Sequence, residues 1–181
     1  FAQDAYTAED DFWKIFSYYK EQDRLFAAYK KAGIAEGNNF VNMAGKTVKL
    51  NPETVADEAA AIVRNNIPNY DYVSDFVKGL RQYPVGNFVS FPAEIMRTGT
   101  NIVKRGIDEF FYSVTLPNKT VVNPLRTIGL QRLIGMGVTT SVVPYAAVSA
   151  GQALYDISKD ELDAIRRYVP KWSKNSTLIP L

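Results

Sequence analysis

The sequence predicts an all-α protein, built as a helical bundle or an extended helical array of about six helices. Apolar residues recur at helical spacing along most of the chain, and residues typical of helix starts and stops stand at the ends of these segments. Hydrophobic residues make up 46% and charged residues 22% of the 181 residues, which is ordinary for a folded domain and argues against global disorder. The predicted exception to the helical pattern is a small hairpin near residues 112–122.

The composition excludes several kinds of chemistry. The chain has no Cys and no His, so it lacks thiolates, disulfides and the commonest general base and transition-metal ligand. A net charge of +2 is too small to indicate nucleic-acid binding by itself. The acidic residues Glu53, Asp57 and Glu58 are better explained as first-turn residues of a helix than as metal ligands. We therefore predict no enzyme within this chain, no catalytic residue, no cofactor and no metal site.

The first predicted helix covers residues 8–32. Thr7 is its candidate N-cap, and Gly33 is a natural stop after the last turn. Aromatic residues recur at helical spacing along it, which is more typical of an ordinary core face than of a partner-binding surface. They are Phe12, Phe16, Tyr19, Phe26 and Tyr29.

A connector over residues 34–51 and two shorter helices are predicted next. Asn51 and Pro52 form a helix start, followed by an amphipathic helix over residues 53–66. A second helix is predicted over residues 70–82 from its apolar spacing.

The most regular predicted helix covers residues 91–113. Its apolar stripe includes Gly99 and Gly106, and two glycines on such a stripe indicate that another helix, of this chain or of another copy, packs closely there. The opposite stripe carries Arg97, Lys104 and Arg105. This basic stripe either binds an anionic partner or is simply a solvated face.

A run of 23 consecutive uncharged residues, Leu133 to Tyr155, follows a helix start at Asn123 and Pro124. About 20 apolar residues span a bilayer as a helix, so the run has the required length. Three interpretations stay open: a buried helical hairpin broken near Gly135–Gly137 or at Pro144, a membrane span, and a run that is buried against protein in one state and inserted into lipid in another. Small residues favour close helix packing as the resting state. They include Gly135, Gly137, Ala147 and Gly151.

The chain ends in a short predicted helix that starts at Ser158, with Glu161 placed for a capping box and Pro170 as its stop. We predict two parts: residues 1–50, with the long amphipathic helix and the connector, and residues 51–181, a helical domain that contains the uncharged run. We expect both to be a segment of a larger protein.

Two stretches carry a family resemblance, Pro84–Arg97 (PVGNFVSFPAEIMR) and Tyr168–Leu178 (YVPKWSKNSTL). Both resemble segments of the very large internal virion proteins of tailed bacteriophages, the ejection or polyvalent proteins that are packed with the genome. The resemblance covers roughly residues 67–181. It implies a helical segment of a giant protein that is stored in the virion and passed into the host envelope or cytoplasm at infection. It transfers no active-site residue.

The partners that follow from this hypothesis are other copies of the chain, portal or core proteins of the virion, and the host membrane. DNA is a further candidate for the basic stripe. Two alternatives stay open. One is a membrane-associated or pore-forming helical domain unrelated to phage, and the other is an accessory helical domain of a larger virion enzyme such as an RNA polymerase.

Overall fold

A computed structural model of the chain describes residues 2–68, 86–173 and 176–179. Within these ranges the protein is mostly helical, with five helices and two short antiparallel hairpins, so the predicted fold class is confirmed. The sixth predicted helix, over residues 70–82, lies outside the described residues. In chain order the elements are α1 (Ala2–Lys31), β1 (Asn39–Val41), β2 (Thr47–Lys49), α2 (Pro52–Asn66), α3 (Gly86–Phe111), β3 (Val114–Thr115), β4 (Val121–Val122), α4 (Arg126–Tyr155) and α5 (Lys159–Arg166).

Helix α1 ends where its local chemistry predicts. Gly33 adopts a φ of 90°, a left-handed conformation that costs glycine little. Its N–H donates to the carbonyl of Lys30 at 3.0 Å, and the N–H of Ile34 donates to the carbonyl of Tyr29 at 3.1 Å. These two bonds form a Schellman motif, which satisfies carbonyls that the last helical turn would leave unpaired.

Helix α2 also begins as predicted. The side chain of Asn51 accepts a hydrogen bond from the backbone N–H of Thr54 at 2.7 Å, and Pro52 occupies the first helical position. Val55, Ala59 and Ile62 form the buried face of this helix.

Both hairpins are short and antiparallel. Strands β1 and β2 pair Phe40 with Val48, and Phe40 points into the core, with its ring centroid 4.8 Å from that of Tyr29. The predicted connector over residues 34–51 is therefore partly a hairpin. The predicted hairpin near residues 112–122 is present as β3 and β4, with Val114 paired to Val122.

The core of the protein is formed by the C-terminal half of α1, the first hairpin, α2, β3 and the start of α4. Its fully or nearly fully buried apolar residues are Leu25, Tyr29, Ile34, Phe40, Leu50, Val55, Ala59, Ile62, Val114, Leu125 and Ile128. The aromatic stripe of α1 contributes to it only in part. Tyr29 is buried and Phe26 packs against the core, but Phe12, Phe16 and Tyr19 are exposed. The interpretation of the whole stripe as core was therefore wrong for its N-terminal half.

Contacts within the chain define two units, Phe1–Leu133 and Ile134–Leu181. The core described above lies in the first unit. The second unit contains the rest of α4, helix α5 and the C-terminal residues. The division predicted from the sequence, 1–50 and 51–181, falls at a different place and stays a prediction.

Helix α3 begins earlier than predicted. It starts at Gly86 instead of residue 91 and ends at Phe111, so Pro92 lies inside the helix and not in its first turn. Proline fits a helix interior poorly because it lacks an N–H, which is the reason that the sequence pattern predicted a start beside it.

Candidate functional site: the uncharged helix and the ion pairs at its start

The side chain of Asn123 connects the end of α3 with the start of α4. The side-chain oxygen of Asn123 accepts from the backbone N–H of Leu125 at 2.9 Å, while its amide nitrogen donates to the carbonyl of Phe110 at 2.8 Å. The same side chain therefore caps the last turn of α3 and begins the turn that leads into α4.

The uncharged run is a continuous part of helix α4. The helix is α-helical over Arg126–Gly137, turns into a π-helix over Val138–Val142 and is α-helical again over Val143–Tyr155. The N–H of Val143 donates to the carbonyl of Val138, which is the wider i to i−5 spacing of a π-helix. The expected break at Gly135–Gly137 or at Pro144 is thus a change of helix type and not a hairpin.

The exposure of this helix distinguishes it from a core helix. Its 30 residues are long and apolar enough to cross a membrane. The core helix of a soluble protein passes the same test but is mostly buried, whereas none of the most apolar part of α4 is buried. Of the three interpretations of the run, the buried hairpin is the one that this exposure does not support.

The start of the helix is held by a cluster of ion pairs in the first unit. The guanidinium of Arg132 binds Glu21 of α1 with an N–O distance of 2.5 Å and Glu109 of α3 with one of 2.9 Å. On the other side of Glu109, the Nε of Arg105 donates to its second oxygen at 2.6 Å, and Arg105 also pairs with Glu58 of α2. The cluster joins α1, α2, α3 and α4 through five charged side chains.

The burial of these charged side chains determines how strongly they depend on one another. Glu109 has no exposed surface and Arg132 is 10% exposed, so both charges are removed from water and depend on each other. Burial alone would lower the pKa of Arg105, but the carboxylates of Glu58 and Glu109 raise it above its usual value, and the guanidinium stays charged.

Two tyrosines border the same cluster. The hydroxyl of Tyr29 donates to the carboxylate of Glu58 at 3.0 Å, and that of Tyr112 donates to the backbone carbonyl of Val41. Burial, and then the nearby carboxylate of Glu58, raises the pKa of each tyrosine well above its usual value.

The predicted close packing of glycines is found at one of the predicted positions and at one that the sequence analysis missed. A Cβ added to Gly106 would lie 2.9 Å from the Cγ of Leu133, and one added to Gly129 would lie 2.5 Å from the backbone oxygen of Gly106. Helices α3 and α4 therefore cross at Gly106 and Gly129. Gly129 lies before the uncharged run, so the small-residue pattern of that run did not predict its part in close helix packing.

The other predicted packing residues have different surroundings. A Cβ added to Gly135 or Gly137 would meet nothing within 4 Å among the described residues. Gly99 and Ala147 are half-buried, and Gly151 is buried. Packing of Gly135 and Gly137 against another copy stays a prediction.

The predicted basic stripe of α3 is largely engaged within the chain. Arg97 donates to both carboxylate oxygens of Glu94, at 2.8 and 2.5 Å, and also to the carbonyl of Asn65 in the last turn of α2. Arg105 is part of the ion cluster. Lys104 is exposed and lines a shallow groove of about 200 Å³ between α2 and α3. An anionic partner would therefore compete with carboxylates of the chain for two of the three predicted cations.

Comparisons with protein-family models, curated proteins and solved structures found no match. The exposed helix and its ion-paired start have to be interpreted from the chemistry of the chain itself.

Proposed function

We propose that this chain is a structural segment of an internal virion protein of a tailed phage, which packs with other virion proteins and aids delivery of the genome across the host envelope. The observation that carries the proposal is the uncharged part of α4, which is apolar and exposed. Exposed apolar surface of this extent marks an interface with protein or membrane. The family resemblance of Pro84–Arg97 and Tyr168–Leu178 supports the phage setting.

Further apolar side chains support a role in assembly. Helix α3 exposes Met96, Ile107 and Phe111, and α1 exposes Trp13 and Phe16. In an assembly, such surfaces become buried against neighbouring proteins, which stabilises the complex in proportion to the apolar area removed from water. A chain without Cys also has no disulfide that would hinder its passage through a narrow channel.

Mass spectrometry of purified virions tests the proposal. We expect peptides from residues 1–181 in intact particles and their loss from particles that have ejected their genome, while the major capsid protein is retained in both. Absence of the peptides from intact particles, or their retention in emptied ones, would contradict the proposal.

A second candidate function is a membrane-associated helical domain unrelated to phage, which the exposed helix α4 favours by itself. Virion content separates the two, because a cellular membrane protein would not be packaged. In that case the chain would be recovered in the membrane fraction of cells that carry no phage.

A further inference from the structure

The uncharged helix from Ile134 to Tyr155 exposes large apolar side chains around much of its circumference. With 3.6 residues per turn, these side chains cover about half of the circumference or more. They are Ile134, Val138, Val142, Val143, Tyr145, Leu154 and Tyr155. A helix that packs on one partner helix needs an apolar stripe of only about 100°. A second copy would therefore leave apolar surface in water, whereas lipid chains would cover all of it.

The polar residues of this helix point to insertion and not to binding along the membrane surface. Helices that lie in the interface have a strongly charged or polar face opposite an apolar one. Here the helix carries no charge, and its polar residues are spread around it: Thr139, Thr140, Ser141, Ser149 and Gln152. Its 22 residues reach about 33 Å at 1.5 Å per residue, close to the roughly 30 Å of a bilayer's hydrocarbon core.

In the irregular middle of the helix, one side-chain hydroxyl and one backbone N–H find partners within the helix, as lipid requires. The hydroxyl of Thr140 donates to the carbonyl of Met136 at 2.8 Å, and the N–H of Val143 donates to the carbonyl of Val138. Pro144, which lacks an N–H, follows this π-helical turn, where the hydrogen-bond spacing is already shifted.

Charged residues flank the helix from Ile134 to Tyr155 at both ends. Arg132 is held by buried ion pairs to Glu21 and Glu109, so it could enter lipid only by breaking them. At the other end Asp156 adopts a φ of 52° and terminates the helix, and the charged helix α5 follows. The stretch between these ends is the part of α4 without a formal charge.

We propose that Ile134–Tyr155 crosses a lipid bilayer as a single helix, while the residues up to Leu133 stay folded in water. The inference rests on the proposed function for its biological setting, since delivery across an envelope requires contact with its lipid. The partner is the hydrocarbon core of the bilayer, and the competing occupant is a second copy of the chain.

The absence of Cys allows site-specific reporters without background labelling. A fluorophore on Val143→Cys should shift to the blue in vesicles of phosphatidylcholine and phosphatidylglycerol, and lipids with nitroxide-labelled chains should quench it. The same fluorophore on Val121→Cys, an exposed position of β4, should do neither. Unchanged emission from Val143→Cys would overturn the proposal.

Crossing is tested with a chain that carries both Val121→Cys and Ser176→Cys, reconstituted into sealed vesicles by detergent removal. An impermeant thiol reagent added outside should label one cysteine of each molecule, and label both only after the vesicles are lysed. Molecules labelled at both sites in sealed vesicles would show that the helix does not cross.

A charge in the middle of the helix provides a matched pair of variants. Val143→Asp should lower the partition coefficient into the same vesicles on the order of 100-fold, because a charged residue at the bilayer centre is strongly disfavoured. Val121→Asp makes the same substitution at an exposed position of β4 and should leave the coefficient unchanged. Flotation in high salt measures both, and circular dichroism checks that both variants are folded. Equal flotation of the two variants, or release of the parent chain by salt, would overturn the proposal.

The outcomes for the two proposals are separable. Insertion into vesicles by a chain that is absent from virions would reject the phage function and support the inference. A chain that is packaged and ejected but forms soluble oligomers without binding vesicles would reject the inference and leave the phage function.

Discussion

The two units of this chain differ in where their longest helices carry charged residues and in whether those charges are paired. In Phe1–Leu133, buried carboxylates and guanidinium groups pair with one another between four helices, beside an apolar core. In Ile134–Leu181, the long helix has no charge at all, and its apolar side chains are exposed. The first unit is therefore held together by interactions within the chain. The second unit exposes apolar surface that only a partner outside the chain can cover.

The largest expected effect comes from removing the buried carboxylate in the first unit. Glu109→Gln should lower the free energy of unfolding by about 3–5 kcal/mol, because it leaves the guanidinium groups of Arg105 and Arg132 without their shared partner. Urea unfolding followed by circular dichroism measures the change. The exposed neighbour Asp108 serves as a control, and Asp108→Asn should change the free energy by less than about 0.5 kcal/mol. Equal effects would mean that the ion cluster contributes little to the first unit.

Replacing glycines of α4 by alanine should change the stability of the protein in opposite directions in the two units. Gly129→Ala should destabilise the protein by about 2–3 kcal/mol, because the new Cβ would meet the backbone of α3 at 2.5 Å. Gly135→Ala places its Cβ in open space and should stabilise the helix by about 0.5–1 kcal/mol. Thermal unfolding of both variants measures the difference. A large loss from Gly135→Ala would show that a partner already packs on the second unit in solution.

Alkaline pH should weaken the first unit through its buried tyrosines. Unfolded tyrosines ionise near pH 10, whereas the folded pKa values of Tyr29 and Tyr112 are raised above that value. Above about pH 10 the unfolded state therefore loses protons that the folded state keeps, and the free energy of unfolding falls by up to about 1.4 kcal/mol per pH unit for each tyrosine.

Tyr29→Phe should make this decline shallower. At pH 7 the variant should be about 1–2 kcal/mol less stable, because the hydrogen bond to Glu58 is lost. Tyr168→Phe is the control, since this side chain is 90% exposed, and its slope should match the parent chain. Unfolding titrations between pH 7 and about pH 12 compare the slopes, and parallel curves for Tyr29→Phe and the parent would contradict the assignment.

The smallest expected effect concerns the capping box of α5 in the second unit. The N–H of Glu161 donates to the hydroxyl of Ser158 at 3.2 Å, and the carboxylate of Glu161 accepts from the N–H of Ser158 at 2.8 Å. These bonds lower the pKa of Glu161. Ser158→Ala should destabilise this helix by about 1 kcal/mol. Ser149→Ala, inside α4, should instead raise helicity slightly, because alanine has the higher helix propensity. Amide hydrogen exchange of α5 measures the first change, and that of α4 measures the second.

Local features of the fold were predictable from the sequence. Asn51 with Pro52, the stop at Gly33 and the capping box at Ser158 act over a few residues, so their effect can be read from neighbouring positions. The uncharged run and its helical character were visible for the same reason, since length and composition are local properties.

Tertiary structure alone decided which charges and glycines matter. Arg132 and Glu21 are 111 residues apart in the chain, and no local pattern links them. Arg105 was expected on a solvated or anion-binding stripe, yet it faces two carboxylates from different helices. Likewise the aromatic stripe of α1 is uniform in sequence but is covered only where α2 and the first hairpin reach it. Local signals determine which segments become helices and where they end. Long-range packing determines which of their faces are covered, because burial depends on the elements that the folded chain brings alongside.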